Sequence, residues 1–193
     1  MARTDKWKVK SWYSVIAPKV FDEKRIGDVL AIDDASLMDR MVVVNLSDLT
    51  GEISHSYTRV NLRVSEVKGK TAYTTLVGHE LIRSYLRTLA RRRMSLVDDV
   101  VKVKTKDGVN VSVKSAIVAA NKVSNATRIS LRKIAEKVII ERAAALSYDE
   151  FMQEVLFKKL SAQVYPKLRK IVPVKRFEVI KTEIFKEKSL PKE

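Results

Sequence analysis

The stretch VVKVKTKDGVNVSVK, residues 100–114, is the clearest indication of the fold class. Apolar and polar residues alternate on both sides of a short polar break, which is the pattern of half-buried β-strands. The dipeptide Asp107-Gly108 in that break favours a tight type I′ hairpin turn. We therefore predict two antiparallel strands with one buried and one solvated face. The inner face would carry Val101, Val103, Val109, Val111 and Val113, and the outer face Lys102, Lys104, Ser112 and Lys114.

Further strands and three helices are predicted around this hairpin. The predicted strands are residues 41–46, 57–67, 71–77 and 172–184. Apolar stripes at helical spacing predict helices over about 78–93, over about 126–146, and from a capping box at Ser147 to a stop or kink at Pro166. Because hairpins precede and separate the helices, we predict an α+β fold. Its core would be a mostly antiparallel curled sheet or a β-barrel-like sheet with about three flanking helices.

The chain carries a large excess of positive charge. Among 193 residues, 38 are Lys or Arg and 23 are Asp or Glu, so the formal net charge is +15, while 46% of the residues are hydrophobic and can fill a core. Such a charge on a folded protein predicts a polyanionic partner, nucleic acid before an anionic membrane surface. The net charge is +3 over residues 3–10, −3 over residues 11–50 and +15 over residues 51–193. We predict a basic aromatic arm at residues 1–20 and a single α+β RNA-binding domain at residues 21–193. Within that domain, the acidic interval of residues 22–39 is expected to face solvent or a basic protein rather than a phosphate backbone.

Few of the residues suit catalysis or metal binding. The absence of cysteine excludes disulfides, Cys-ligated zinc and a thiol nucleophile, and no glycine-rich phosphate loop is present. His79-Glu80 begins like a zinc-protease motif, but Arg83 stands where the second histidine belongs, so His79 is interpreted as a helix-start or RNA-contact residue. Asp98 and Asp99 could bind Mg²⁺, although neighbouring carboxylates are usually just solvated. We expect no enzyme activity, no cofactor and no metal. With neither a membrane span nor the apolar stretch of a signal peptide, we expect a cytoplasmic protein.

The basic clusters are the candidate RNA-binding sites. The arginines of the first predicted helix recur at every fourth position and have few acidic neighbours, which favours bidentate phosphate contacts over a solvated face. The basic cluster around residue 132 could equally form ordinary ion pairs along its helix. Aromatic side chains among the N-terminal lysines suit base stacking, although we expect Trp12 and Tyr13 to pack on the core. The candidate residues are Lys6, Trp7, Lys8, Lys10, Arg83, Arg87, Arg91, Arg92, Arg93, Arg132, Lys133, Lys170 and Arg176.

Several of these segments together resemble one protein family. The segments are Lys6-Trp7-Lys8, Trp12-Tyr13, Ala17-Pro18, Leu46 to Gly51, Val67 to Gly69, Gly78 to Leu81, Arg83 to Arg87, Arg91 to Arg93, Thr105 to Gly108 and Leu131 to Ile134. In this order they are similar to the small-subunit ribosomal proteins of the S-three-a (e-S-one) family of archaea and eukaryotes. The block from Gly78 to Arg93 is the most specific part. The chain ends before the C-terminal extension of eukaryotic members, so we expect an archaeal-type protein.

The resemblance implies a structural constituent of the small ribosomal subunit. It implies binding to small-subunit rRNA on the platform near the mRNA exit, with neighbouring ribosomal proteins and mRNA near the exit as further partners. Carried over by position, the lysines of the arm and the arginines between residues 83 and 93 are the expected RNA contacts. No membrane and no small-molecule substrate are expected. Two alternatives remain open: an RNA-binding protein outside the ribosome, and an Mg-dependent nuclease that uses Asp98 and Asp99.

Overall fold

The computed structural model describes residues 10–89 and 91–185. Over these residues the chain forms eight β-strands and five α-helices with mostly antiparallel strand pairing, which confirms the predicted α+β class. The chain divides into two compact units, the first ending at Val77 and the second starting at Gly78. The predicted division into an arm and one domain stays a prediction, since residues 1–9 lie outside the described residues.

The bounds of the elements follow the chain order. The strands are β1 Ser11–Ile16, β2 Arg25–Ala31, β3 Met41–Asn45, β4 Thr58–Lys68, β5 Thr71–Leu81, β6 Ser95–Lys104, β7 Asn110–Ala119 and β8 Val174–Ile184. The α-helices are α1 Leu46–Thr50, α2 Arg83–Leu89, α3 Asn125–Ala145, α4 Tyr148–Leu156 and α5 Lys159–Arg169. All the predicted strands are therefore present.

The first unit is an open sheet. Its β1 strand pairs antiparallel with β2 and parallel with the start of β5, which also pairs with β4, and β4 pairs antiparallel with β3. The outermost strands, β2 and β3, do not pair with each other among the described residues, so the sheet does not close into a barrel. Val15, Val64 and Ala72 form one buried cluster, and Tyr13 packs with Ala31 and Leu37 in another.

The strands β1 and β2 are absent from the sequence-based prediction, which treats residues 1–20 as an arm. Tyr13 and Val15 point into the core, and Tyr13 is packed as predicted. Trp12 lies on the opposite face with 62% of its side chain exposed, so the prediction that Trp12 packs on the core is wrong. The reason is the alternation of side chains along a strand, which puts neighbouring residues on opposite faces.

The second unit is a sheet with α3 and α5 on one face. The end of β5 pairs with β8, β8 pairs with β7, and β7 pairs with the edge strand β6, all antiparallel. Val101 lies opposite Val113, which lies opposite Thr182 on the other side. These residues belong to the buried face, on which α3 packs against β6 and α5 packs against β8.

The hairpin of residues 100–114 is confirmed, but its turn differs from the predicted type. Gly108 has a φ of +80°, while Asp107 is not among the residues with positive φ, so the turn is not type I′. Instead, the Gly108 N–H donates to the Thr105 carbonyl across a longer loop, at 2.9 Å. The Asp107 carboxylate accepts the backbone N–H of Tyr148 at 2.9 Å. Asp107 therefore ties the hairpin to the start of α4.

Two of the three predicted helices have wrong boundaries, and the first ends at Leu89 rather than at residue 93. Residues 78–81 continue β5, and α2 begins only at Arg83, because pairing with β8 overrides the helical spacing of the apolar residues. The third predicted helix is two helices: α4 ends at Leu156, Lys158 has a φ of +59°, and α5 continues through Pro166 to Arg169. The capping box at the start of α4 is confirmed, and α3 lies within a residue of its predicted bounds.

Candidate nucleic-acid interface

The sheet of the second unit presents a cationic face on the side opposite α3 and α5. Side chains alternate along each strand, so the neighbours of the buried valines point away from the helices. Lys114 of β7 lies opposite Lys181 of β8 on one side and Val100 of β6 on the other. We call this surface the lysine face; it consists of Lys102, Lys104, Lys114 and Lys181. The alternating pattern of residues 100–114 predicts the outward direction of its first three lysines, but none of the four is among the predicted RNA-binding residues.

Positive charge is concentrated in the second unit. Residues 78–193 contain 26 Lys or Arg and 13 Asp or Glu, while residues 1–77 contain 12 and 10. The first unit is therefore nearly neutral, and the excess that favours a polyanion belongs almost entirely to the second. Long-range attraction of a phosphate backbone would be directed to that unit.

A tyrosine joins α2, the helix of Arg83 and Arg87, to Arg176 of β8. The Tyr85 hydroxyl donates to Glu178 Oε1 at 3.1 Å and accepts from Arg176 Nη1 at 3.0 Å. Burial, and then the neighbouring carboxylate of Glu178, raise the pKa of Tyr85, so the phenol stays protonated. Arg83 and Arg87 lie about half a helical turn from Tyr85 and are exposed. Helix α2 thus binds the sheet through Tyr85 and presents its arginines to solvent.

The arginines that follow α2 extend this surface. Arg91, Arg92 and Arg93 lie in the connection between α2 and β6, and all three are exposed. Arg93 has a φ of +69°, so the chain turns sharply there before it enters β6. None of the ion pairs among the described residues involves these arginines. We call this surface the arginine face; it consists of Arg83, Arg87, Arg91, Arg92, Arg93 and Arg176.

The lysine face is partly neutralised by its own contacts. Lys181 Nζ contacts Glu183 Oε1 at 2.5 Å, and this hydrogen bond raises the pKa of Lys181. Lys102 Nζ lies 5.4 Å from the ring centroid of Phe185. These contacts orient the two lysines while leaving both charged, so the arginine face offers more unpaired charge than the lysine face.

The other predicted RNA-binding residues lie elsewhere. Arg132 and Lys133 are exposed on α3, and Arg132 Nε donates to the Asp98 carbonyl on the edge strand β6 at 3.0 Å. Lys170 is exposed at the end of α5. Lys10 is half-buried just before β1. The predicted residues Lys6, Trp7 and Lys8 lie outside the described residues. The structure therefore links Arg176 to α2 through Tyr85, whereas Arg132 of the α3 pair contacts β6.

The candidate catalytic residues do not form a site. Asp98 and Asp99 are neighbours within β6, so their side chains point to opposite faces of the sheet and cannot chelate one ion. Burial raises the pKa of Asp99. His79 is 2% exposed within β5, so the prediction that it starts a helix or contacts RNA is wrong. Among the described residues, no group of three or more His, Asp or Glu side chains is placed to hold a metal ion.

No helix within residues 10–89 and 91–185 is both long and apolar enough to cross a membrane. The fold and the exposed arginines suit a structural protein with a polyanionic partner. Residues 1–188 match the model of the Ribosomal S3Ae family, and the chain belongs to that family. It is therefore a ribosomal protein rather than an enzyme.

Several curated relatives carry the name small ribosomal subunit protein eS1. One from Saccharolobus islandicus is 40% identical over 94% of this chain and 88% of its own length. Another from Saccharolobus solfataricus is 38% identical over the same shares of both chains. A third, from Sulfurisphaera tokodaii, is 37% identical over 94% of both chains. These organisms are archaea, as the predicted archaeal type requires.

Proposed function

We propose that this chain is a structural constituent of the small ribosomal subunit and binds small-subunit rRNA through the arginine face. In this proposal it lies on the platform near the mRNA exit, supports translation in the cytoplasm, and has neighbouring ribosomal proteins and mRNA as further partners. The observation that carries the proposal is the set of exposed arginines around α2 that has no carboxylate partner among the described ion pairs.

Arginine suits this role better than lysine. Its planar guanidinium donates two parallel hydrogen bonds to one phosphate, and it is more weakly hydrated than an ammonium group. The hydrogen bond between Arg176 and Tyr85 fixes the position of α2 over β8, so fewer degrees of freedom are lost when RNA binds. Phosphate contacts of this kind supply affinity, and the shape of the folded RNA determines where the protein sits.

The acidic interval of residues 22–39 supports a separate protein contact. Its carboxylates are exposed, including Asp33 and Asp39, and Asp28 and Asp34 accept hydrogen bonds from Arg25 and Tyr13 within the first unit. A phosphate backbone would be repelled there, whereas the basic segment of a neighbouring protein would be attracted.

Filter binding to small-subunit rRNA over a series of salt concentrations tests the proposal. Each phosphate contact releases counterions, so affinity should fall steeply with salt. Changing Arg91, Arg92 and Arg93 to Ala should weaken binding at low salt and reduce the slope of log K against log salt by roughly one for each lost contact.

A matched variant removes the same charge from the first unit. Arg25, Lys68 and Lys70 are exposed, and the first two pair with Asp28 and Glu66. Changing these three to Ala should leave the slope near that of the unaltered protein. If both triple variants lose affinity equally, net charge alone governs binding and the arginine face is not the contact. If the unaltered protein binds rRNA with a flat salt slope, the proposal fails altogether.

A further inference from the structure

A groove lined by an aromatic ring and several basic side chains lies between α5 and β8. It has a volume of about 470 Å³ and is lined on the helix side by Lys158, Ser161, Ala162 and Tyr165, and on the strand side by residues 175–178. A second depression of about 310 Å³ adjoins it and is lined by Tyr165, Pro166, Arg169 and Lys170. Tyr165 lines both depressions. We call the two together the α5 groove.

The strand side of this groove is an open edge of the sheet. Among the described residues, β5 pairs with β8 only from Lys181 to Glu183, so the start of β8 has β7 on one side and the groove on the other. Helix α5 packs against β8 and forms the other side of the groove. The groove therefore follows from the sheet order, since no strand covers the start of β8 on this side.

Tyr165 is held rigidly between the two depressions. Its hydroxyl donates to the Val174 carbonyl at 3.1 Å, and the side chain is half-buried. The ring therefore cannot rotate away without losing that hydrogen bond. A fixed aromatic ring facing a groove provides a flat surface on which a nucleic-acid base can stack, at little cost in conformational entropy.

Positive charge surrounds that ring. Five exposed cations line the groove: Lys158, Arg169, Lys170, Lys175 and Arg176. None of the ion pairs among the described residues involves any of them. The groove's one carboxylate, Glu178, is 9% exposed and accepts the Tyr85 hydroxyl, so it offers little repulsion to a phosphate at the rim.

We propose that the α5 groove binds unpaired nucleotides of RNA, with one base stacked on Tyr165 and the flanking phosphates bound by the lysines and arginines on either side. This inference rests on the proposed RNA-binding function and adds a preference for single strands. Bases within a duplex are already stacked on each other and cannot reach the ring, whereas unpaired bases can. Cations on both sides of the ring fit a continuous strand better than a single nucleotide.

The test compares single-stranded and duplex RNA in the full-length protein. Fluorescence anisotropy would measure binding of a short oligouridylate and of a duplex of the same length. Changing Tyr165 to Leu should weaken binding of the single strand by roughly thirtyfold, the middle of the range found for base–aromatic stacking, and change duplex binding by less than about twofold. The matched control is Tyr57→Leu, since Tyr57 is a 51% exposed tyrosine in the first unit, and it should leave both affinities unchanged.

A second variant separates stacking from a purely structural role. Tyr165→Phe keeps the ring and loses the hydrogen bond to Val174, so it should bind the single strand nearly as well as the unaltered protein. Equal losses in the Phe and Leu variants, or equal losses on single strand and duplex, would mean that Tyr165 only anchors α5, and would overturn the inference.

Two further outcomes distinguish the possible failures. Uridine monophosphate should compete only weakly with the oligonucleotide, because it contacts cations on one side of the ring alone; competition as strong as that of the oligonucleotide would assign the groove to free nucleotides and overturn the RNA inference. If rRNA binding depends on the arginine face while no Tyr165 variant affects single strands, the inference fails and the proposed function stands. If the protein binds no RNA at all, both fail.

Discussion

His79 should make the stability of the second unit sensitive to acid. Its Nε2 lies 3.3 Å from the Val179 carbonyl, which can only accept, so Nε2 carries the proton. Its Nδ1 then accepts from the Thr182 hydroxyl at 2.7 Å. The ring is fully buried with two neutral partners and no carboxylate, and burial lowers the pKa of His79 from 6.5 to about 4.

The size of the effect follows from this pKa. Below pH 6.5 the unfolded chain binds a proton at His79, while the folded chain does not until about pH 4. The free energy of unfolding is therefore not reduced by His79 above pH 6.5, and it falls as the pH drops from 6.5 to about 4. This pKa difference between the unfolded and the folded chain corresponds to about 3 kcal/mol of the free energy of unfolding in all, of which about 2 kcal/mol is lost by pH 5.

Urea denaturation followed by far-ultraviolet circular dichroism would measure this loss. The three longest helices, α3 to α5, belong to the second unit, so the signal reports mainly on the unit that contains His79. The His79→Gln variant cannot titrate, and it should lose about 2 kcal/mol less than the unaltered protein between pH 7.5 and pH 5. A His55→Gln variant, which alters the other histidine of the chain, should keep the full loss. Equal losses in the unaltered protein and in His79→Gln would refute the assignment.

Two substitutions test how the elements of the second unit are held. A Cβ at Gly78 would collide with the Thr182 carbonyl oxygen, so Gly78→Ala should lower the free energy of unfolding in urea by about 1–3 kcal/mol. The control is Gly27→Ala, which should be tolerated because nothing lies within 4 Å of the added Cβ. Equal losses in the two variants would refute the collision. Ser124 caps α3 by accepting the Thr127 N–H at 3.3 Å, so Ser124→Ala should lower the free energy of unfolding by about 1 kcal/mol. The control, Ser130→Ala within the helix, should not lower it. A Ser124→Ala variant as stable as the unaltered protein would contradict the cap.

The strands could be predicted where local pattern and tertiary contacts agree. The hairpin of residues 100–114 can be predicted from the sequence because one of its faces is buried and the other is solvated along its length. Strand β1 has the same alternation in Tyr13 and Val15, but lysines and tryptophans around it suggest an arm, and only its pairing with β2 and β5 establishes the strand. A signal for β1 was therefore present, and it was outweighed by composition.

The start of α2 could not be predicted from local sequence. Residues 78–81 have apolar positions that fit a helix as well as a strand, and the deciding interaction is with β8, about a hundred residues further along the chain. Gly78 allows that close approach because it lacks a Cβ. Tyr85 and Arg176 are likewise 91 residues apart along the chain. The sequence therefore identifies the arginines but not the contact between Tyr85 and Arg176.

The two charged surfaces of the second unit differ in what they can recognise. The arginines of α2 and its following turn are exposed and line no groove named above, which suits the phosphates of a folded RNA helix. The α5 groove is concave and has a fixed aromatic ring between its cations, which suits a strand whose bases are free. Arg176 belongs to both surfaces, since it lines the groove and donates to Tyr85 beneath α2. An RNA that passes from a helix into a single strand could therefore contact both surfaces at once, and loss of Arg176 should weaken both contacts while loss of Tyr165 weakens only one.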